Sequence, residues 1–115
     1  MKKYFALFSI PASVMDEWKK NTKPADMKAA EEKMMQEWDQ WMKTHAKNLK
    51  DRGAPLGKTK RVTAQNISNT RNDLNWYSIV EAESHDDAAK LFKDSPHLQI
   101  PQAAIEVMEI PQMPR

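Results

Sequence analysis

The stretch Trp76–Ile110, WYSIVEAESHDDAAKLFKDSPHLQIPQAAIEVMEI, carries the signals of a strand, a helix and a second strand in close succession. Its first residues, 76–83, are rich in aromatic, β-branched and apolar side chains, which is typical of a strand. Ser84 and Asp87 have the spacing of a capping box, in which the serine oxygen accepts a hydrogen bond from the amide three residues later. A helix is therefore predicted from Ser84 to about Lys93.

The residues that follow predict a tight connection into the last strand. Ser95 suits a helix N-cap and Pro96 suits the first helical position, so a short helix is expected, ended by Pro101. His97 falls in its first turn, where backbone amides favour a neutral imidazole or a bound anion. Residues 104–110 predict the final strand.

The N-terminal half begins with a strand and continues with a long helix. Lys3–Ile10 has apolar side chains on both faces, which is typical of a strand covered on both sides. Ala12–Pro24 is polar and irregular, with a short helical turn around Val14–Lys19. Apolar residues then recur every three or four positions, which predicts an amphipathic helix over Asp26–Asp51. Gly53 follows as a left-handed cap.

A strand at Leu56–Thr63 and a wide polar loop at Ala64–Asn75 complete the order β-α-β-β-α-β. This order predicts an α+β, ferredoxin-like domain spanning residues 1–115, with two helices on one face of a four-stranded antiparallel sheet. The first and third strands carry large apolar residues on both sides. The face without helices is therefore expected to pack against a second copy, which makes the protein a homodimer.

Composition excludes several classes of protein. The 18 basic and 16 acidic residues are interspersed, whereas binding of nucleic acid as the main partner needs a concentrated positive face. No stretch is apolar enough to span a membrane. The N-terminus resembles a secretory signal, but Ser9, Pro11 and Ser13 interrupt its apolar run, so export is not expected. The absence of cysteine is compatible with a cytoplasmic location and removes thiolate chemistry.

The segments KKYFALFSIP, GAPLGKTKRVT and the stretch from Trp76 to Pro111 together resemble the YCII-related (DGPF-type) family. This resemblance implies a dimeric α+β barrel with a cleft between the helices and the sheet of each subunit. It also implies that some members are enzymes that use a histidine of the first long helix. Here the matching position is near Met42, and the only histidine of the predicted helix, His45, lies three residues later. Ser68–Arg71 stands where the family has DGPF.

Two histidines and one carboxylate are the candidates for acid–base chemistry. His45 lies on the apolar stripe of the long helix, where burial and a nearby charge bring an imidazole into the range of a catalytic acid or base. The alternative is a core histidine satisfied by a carbonyl group. His97 is the second candidate, with Asp94 near it in sequence, and its alternative is a surface turn.

Four further residues are candidates for ligand binding. Trp38 and Trp41 are flat walls for an organic ligand, or else part of the core or of a dimer seam. Lys58 is a charge partner for an anion, or else belongs to a solvated strand edge. Arg71 either clamps the ligand or forms a surface ion pair. The spacing of the histidines predicts no metal site, and the two glycines provide no dinucleotide loop, so no cofactor is expected.

The predicted function is therefore binding of a small organic molecule, of anionic character, in a helix–sheet cleft. Cofactor-free proton transfer of the isomerase or lyase type suits the available groups. The alternative is a module without catalysis that senses a metabolite or contacts another protein.

Overall fold

The computed structural model describes residues 1–113 of the chain. The elements, in chain order, are β1 (Lys2–Ser9), α1 (Ala12–Asn21), α2 (Pro24–Thr44), β2 (Leu49–Pro55), β3 (Thr59–Val62), β4 (Ile67–Thr70), β5 (Leu74–Ala82), α3 (His85–Lys90), a 3₁₀ helix (Pro96–Gln99) and β6 (Ala104–Glu109). No helix within these residues is both long enough and apolar enough to cross a membrane.

The main sheet has four antiparallel strands in the order β2-β5-β1-β6. Strand β1 lies in the centre, with Tyr4 opposite Val80 of β5 on one side and Glu109 of β6 on the other. The prediction of an α+β fold with a four-stranded antiparallel sheet is confirmed. Because β1 pairs with both β5 and β6, the first and last strands of the chain are neighbours, and β6 forms one edge of the sheet.

One face of the sheet is buried beneath α2 and α3. Side chains of the two central strands, including Tyr4, Phe8 and Val80, pack there against Trp41 of α2 and Phe92, which follows α3. Each of these five residues is at most 7% exposed. Burial of one such large side chain contributes about 1.5–3 kcal/mol, so this layer supplies most of the energy of folding.

Two predicted caps are present. Ser84 Oγ accepts a hydrogen bond from the Asp87 amide at 3.1 Å, and Ser95 Oγ accepts one from the His97 amide at 3.3 Å. The first starts α3, and the second starts the 3₁₀ helix at Pro96. Each side-chain oxygen satisfies an amide that has no partner within its helix, so the local sequence specifies both starting points.

The end of the long helix differs from the prediction. Helix α2 ends at Thr44 rather than Asp51, and β2 starts at Leu49. Gly53 is not a helix cap but lies inside β2 at φ 77°, where the register against β5 shifts between Asp51 and Ala54. An added Cβ would overlap the carbonyl oxygen of Tyr77. Glycine is thus required both for the backbone angle and for the close approach of the two strands.

The predicted strand at Leu56–Thr63 and the predicted loop at Ala64–Asn75 are also corrected. Residues Thr59–Val62 form β3, which pairs with β4 in a separate two-stranded sheet and not with the main sheet. We call residues 58–71 the arm. The strand that follows α2 in the chain, β2, is the second strand of the main sheet, where it pairs with β5.

The opposite face of the main sheet, which we call the open face, carries apolar side chains that remain partly exposed. Phe5 and Leu7 of β1 lie there beside Tyr77 and Ile79 of β5, and Phe5 stacks on Tyr77 at a ring distance of 5.8 Å. Met108 of β6, opposite Phe5, is 39% exposed. The described chain is only 19 Å thick, which corresponds to one sheet layer and one helix layer.

Candidate functional site

A cavity of about 1060 Å³ lies between α1, the connection from β2 to β3, and the arm. Four larger apolar side chains, from four segments, line it together with Ala12: Ile10, Met15, Leu56 and Leu74. Its size is that of a pocket for an organic molecule rather than for a single ion. We call it the arm pocket.

The charged lining of the arm pocket is entirely cationic. Lys19 comes from α1, Lys58 and Lys60 from the first half of the arm, and Arg71 from its end. No aspartate or glutamate is among the lining residues that the structure describes. A concave surface lined by charges of one sign concentrates the opposite charge from solution, so the arm pocket attracts anions.

Two of these cations already have partners. Arg71 donates two hydrogen bonds to the carboxylate of Asp16, at 3.1 and 2.8 Å. The hydrogen bond from Arg71 lowers the pKa of Asp16, and the same bond raises the pKa of Arg71. Lys60 Nζ donates to Asn69 Oδ1 at 2.7 Å. Among residues 1–113 no ion pair involves Lys19 or Lys58, so these two charges are available to a ligand.

Helix α1 forms one wall of the arm pocket and is held there by polar contacts. None of its residues is fully buried, and it has no cap from its own sequence because Pro11 precedes it. Instead, the amide of Ala12 donates to Asp73 Oδ1 at 2.8 Å, and the ion pair of Asp16 with Arg71 adds a second attachment. The position of the wall therefore depends on the segment that ends the arm.

Asn75 provides a polar group of a different kind. It lines the arm pocket, and its Oδ1 is buried without a hydrogen-bond partner among the described residues. An unpaired buried acceptor costs about 1–3 kcal/mol. A donor brought by a ligand, after a small side-chain rotation, would recover part of this cost.

His97 is a buried structural residue and does not line the arm pocket. Its ring is 3% exposed, packs edge-on against Phe8 at 5.2 Å, and its Nε2–H donates to the carbonyl of Ser9 at 2.9 Å. Burial lowers the pKa of His97 and outweighs the hydrogen bonds to the Ser9 and Ala104 carbonyls, which favour the protonated ring. The ring is thus neutral at pH 7 and ties the 3₁₀ helix to the end of β1.

His45 and Asp94 form a pair beside Trp41, at the end of α2. His45 follows the last turn of α2, and its Nε2 is 3.3 Å from each oxygen of Asp94. Asp94 also accepts a hydrogen bond from Trp41 Nε1 at 3.0 Å. Burial raises the pKa of Asp94, but the hydrogen bonds from His45 and Trp41 together bring it below its ordinary value. The carboxylate only accepts hydrogen bonds, so Nε2 of His45 is the donor in this pair.

The structure therefore separates the predicted site residues into three places. Lys58 and Arg71 meet in the arm pocket, whereas His45 and Asp94 pair with each other near Trp41. The two tryptophans are core residues: Trp41 is 7% exposed, and Trp38 packs between Phe8 and Trp76 at ring distances of 5.2 and 5.0 Å. His97 stands alone, since Asp94 pairs with His45 instead.

Lys19 and Asn75 were not predicted as site residues. Lys19 belongs to a helix of mostly polar sequence, and Asn75 is a polar residue near the start of β5, at the end of a polar stretch, so the local sequence marks neither position as a site. They reach the same pocket only because β1 and β5 are neighbours in the sheet.

Within residues 1–113 no group of three or more histidine or carboxylate side chains is arranged to hold a metal ion. The sequence matches no protein-family model, and no curated protein is a significant relative of it. The geometry of the chain alone therefore carries the argument about its function.

Proposed function

We propose that this chain is a homodimeric, YCII-related binding protein that holds a small organic anion in the arm pocket. The observation that carries the proposal is the one-sided charge of the lining: four cationic side chains and no carboxylate. Carboxylate and phosphate groups are the ligands that lysine and arginine bind with charge-assisted hydrogen bonds.

The other lining groups narrow the chemistry of the ligand. Met15 and Leu74 offer an apolar surface to a carbon skeleton, and the unpaired oxygen of Asn75 suits a hydroxyl or amide donor. Since Arg71 is engaged by Asp16, we assign the main anion contact to Lys58 and Lys19. A hydrogen bond to a charged group contributes about 1.5–3 kcal/mol, so loss of one such contact weakens binding about tenfold or more.

Calorimetric titration with paired ligands tests this assignment. The binding of carboxylates and phosphate esters is compared with the binding of their neutral amide or ester analogues. Each ligand is titrated into the wild type, into Lys58→Gln, and into Lys93→Gln, which changes a lysine outside the arm pocket. We expect anions to bind the wild type and Lys93→Gln equally, and Lys58→Gln about tenfold more weakly. Equal binding of charged and neutral ligands, or of Lys58→Gln and the wild type, would contradict the proposal.

The homodimer and the ferredoxin-like barrel are part of the same proposal. The strand order β2-β5-β1-β6 and the partly exposed apolar open face support them. Sedimentation velocity over a wide concentration range tests the dimer, with Leu7→Lys on the open face as the disrupting variant and Lys47→Gln as a surface control. We expect a dimer that Leu7→Lys dissociates, and a wild type that stays monomeric would contradict the expectation. A cytoplasmic location agrees with the absence of cysteine.

A second candidate function rests on the pair of His45 and Asp94. A histidine whose Nε2–H is held by a carboxylate has its other nitrogen free to take a proton, which is the arrangement of a general base. We propose cofactor-free proton transfer at a carbon acid as the matching reaction. To test this reaction, the same ligands are incubated with the protein in D₂O. Proton NMR then measures the exchange of carbon-bound hydrogen for deuterium.

The two candidates are separated by variants. The enzyme is supported if the wild type catalyses exchange, His45→Gln abolishes the exchange and Asp94→Asn reduces it. Binding of an anion without any exchange supports the module without catalysis, in which the arm pocket senses a metabolite.

A further inference from the structure

The arm is the most exposed part of the molecule. All residues of β3 and β4 are exposed except Thr59, and the tip pair Val62 and Ile67 is 71% and 68% exposed. These two apolar side chains face each other across the hairpin. An isolated two-stranded hairpin is marginally stable in water, so the arm needs a surface to pack on.

The arm has one apolar face and a uniform charge. The pairing of Lys60 with Asn69 and of Val62 with Ile67 places these four residues on one face, and Arg61 lies on the other. Between residues 58 and 71 the sequence has four basic side chains and no acidic one. The arm therefore suits a surface that is apolar at its centre and acidic around it.

The N-terminal half of α2, residues 24–37, is such a surface. None of these residues is buried, because the sheet underlies only the later part of the helix around Trp41. The apolar stripe continues along this half through Met27, Ala30 and Met34, and Met35 beside it is 66% exposed. Four carboxylates and two lysines flank the stripe.

The dimensions of the chain also indicate that these segments have a partner. The radius of gyration is 16.2 Å, whereas a compact domain of this length has about 13 Å. The open face consists of four strands of about six residues each, which gives a flat projected area of roughly 400 Å². This figure does not include the additional surface of the protruding side chains. A stable interface buries about 800 Å² of accessible surface on each partner, so surface outside the open face would add to the interface of a dimer.

We propose that the arm of each protomer packs on the N-terminal half of α2 of a second copy of this chain. The apolar tip, Val62 and Ile67, contacts the stripe at Met27 and Met34, and Lys60, which lies on the same face of the arm as the tip, is beside the carboxylates of the helix. The second copy is the occupant because each chain carries both complementary surfaces and leaves both of them exposed. This inference rests on the homodimer of the proposed function and adds a contact outside the open face.

Cross-linking between single-cysteine variants tests the inference directly, because the chain has no cysteine of its own. Val62→Cys and Met34→Cys are made as separate proteins that are fused to tags of different size. The two proteins are mixed and treated with a short bismaleimide. A mixture of Val62→Cys with Lys93→Cys, which lies away from the proposed contact, is the control. The positions are exposed or half-exposed, so the variants retain the fold.

The expected result is a cross-linked species of mixed mass for Val62→Cys with Met34→Cys, at several times the yield of the control. A dimer by sedimentation that gives no such product overturns the arm contact and leaves the homodimer of the proposed function intact. A monomer at every concentration overturns both. Anion binding is measured separately, so its failure does not affect this outcome.

A charge variant gives an independent readout in solution. Introducing aspartate at both Val62 and Ile67 is expected to raise the dissociation constant of the dimer about tenfold or more, since burial of a central apolar pair is lost. Ala64→Asp in the hairpin turn is the matched control and is expected to change the constant less than about threefold. Equal effects of the two variants contradict the arm contact.

Discussion

Replacing His97 with alanine is expected to destabilise the fold by about 3 kcal/mol, and the loss follows from two contacts of the ring and from the cavity that its removal leaves. The Ser9 carbonyl loses its donor at 2.9 Å, which costs about 1–3 kcal/mol when the acceptor stays away from water. The edge-on contact with Phe8 contributes a further 0.5–1.5 kcal/mol, roughly. The small cavity left by a ring that is 3% exposed adds to both.

His97→Gln separates the hydrogen bond from the charge of the ring. The glutamine Nε2 reaches about as far as the imidazole Nε2, so it still donates to Ser9, and it does not titrate. We expect this variant to be less destabilised than His97→Ala, by roughly 1–2 kcal/mol. A domain of this length has a total stability of roughly 6–17 kcal/mol, so both variants remain folded at 25 °C.

The pH dependence of the wild type has a definite sign. Burial lowers the pKa of His97 in the folded state, so below pH 6.5, roughly, the unfolded chain binds a proton that the folded chain does not. Stability is therefore complete above the unfolded pKa and falls as the pH decreases, by at most about 1.4 kcal/mol per pH unit. The stability difference between the wild type and His97→Gln should narrow between pH 7 and pH 5.

Urea unfolding followed by tryptophan fluorescence measures these differences, with four tryptophans as probes. The other histidines are common to both proteins and cancel in the comparison. A His97→Ala cost below 1 kcal/mol, roughly, or parallel pH curves for the wild type and His97→Gln, would refute the structural role that we assign to the ring.

Two further predictions concern stability. Gly53→Ala should cost about 4 kcal/mol or more in the same urea assay, since φ 77° and the overlap with the Tyr77 carbonyl both oppose a Cβ. Gly57→Ala has open space around it and should be neutral or stabilising by about 0.5 kcal/mol. Asp94→Ala should cost no more than about 1 kcal/mol at pH 7, because its side chain is 63% exposed. Although burial raises it, hydrogen bonds from His45 and Trp41 hold the pKa of Asp94 below its ordinary value of 3.8, so the difference should shrink as the pH falls from 3.8 through this lowered pKa, where the carboxylate becomes protonated in the wild type. A large cost for Gly57→Ala, or one for Asp94→Ala that persists in acid, would contradict these assignments.

The C-terminal half was predictable because its signals are local. Ser84, Ser95 and Pro96 act within one turn of themselves, and the structure contains both helix starts where these residues place them. The strands that flank them are rich in apolar and β-branched residues and need no distant information to be recognised.

The middle of the chain was not predictable in the same way. The helical spacing that runs through Trp41 and His45 reaches Leu49, yet Leu49 lies in β2 opposite Val80. Pairing with β5 satisfies the backbone of residues 49–55 and outweighs the local preference for a helix. For the arm, Thr59 and Val62 lie in the segment that was predicted as a strand, whereas the polar residues around Ile67 and Thr70 indicated a loop and concealed β4.

The candidate site shows a similar division between residue type and position. Histidines were the obvious candidates for chemistry, but His97 faces the interior because its neighbours Ser95 and Pro96 turn the chain inward at the end of β1. Lysines are abundant in the sequence and individually uninformative. Lys19 and Lys58 acquire a role only because the topology brings α1 beside the arm.

The contacts of α1 decide which of these cations is available to a ligand. Because no residue of α1 is buried, the helix depends on Asp73 at its first amide and on the pair of Asp16 with Arg71. An anion that drew Arg71 away from Asp16 would expose a carboxylate beside the arm pocket and loosen its wall, and both effects oppose binding. Lys58 involves no such loss, since it leaves no partner behind. Arg71 thus shapes the pocket through its pair with Asp16, and Lys58, which has no such partner, is the side chain to which we assign the proposed anion contact.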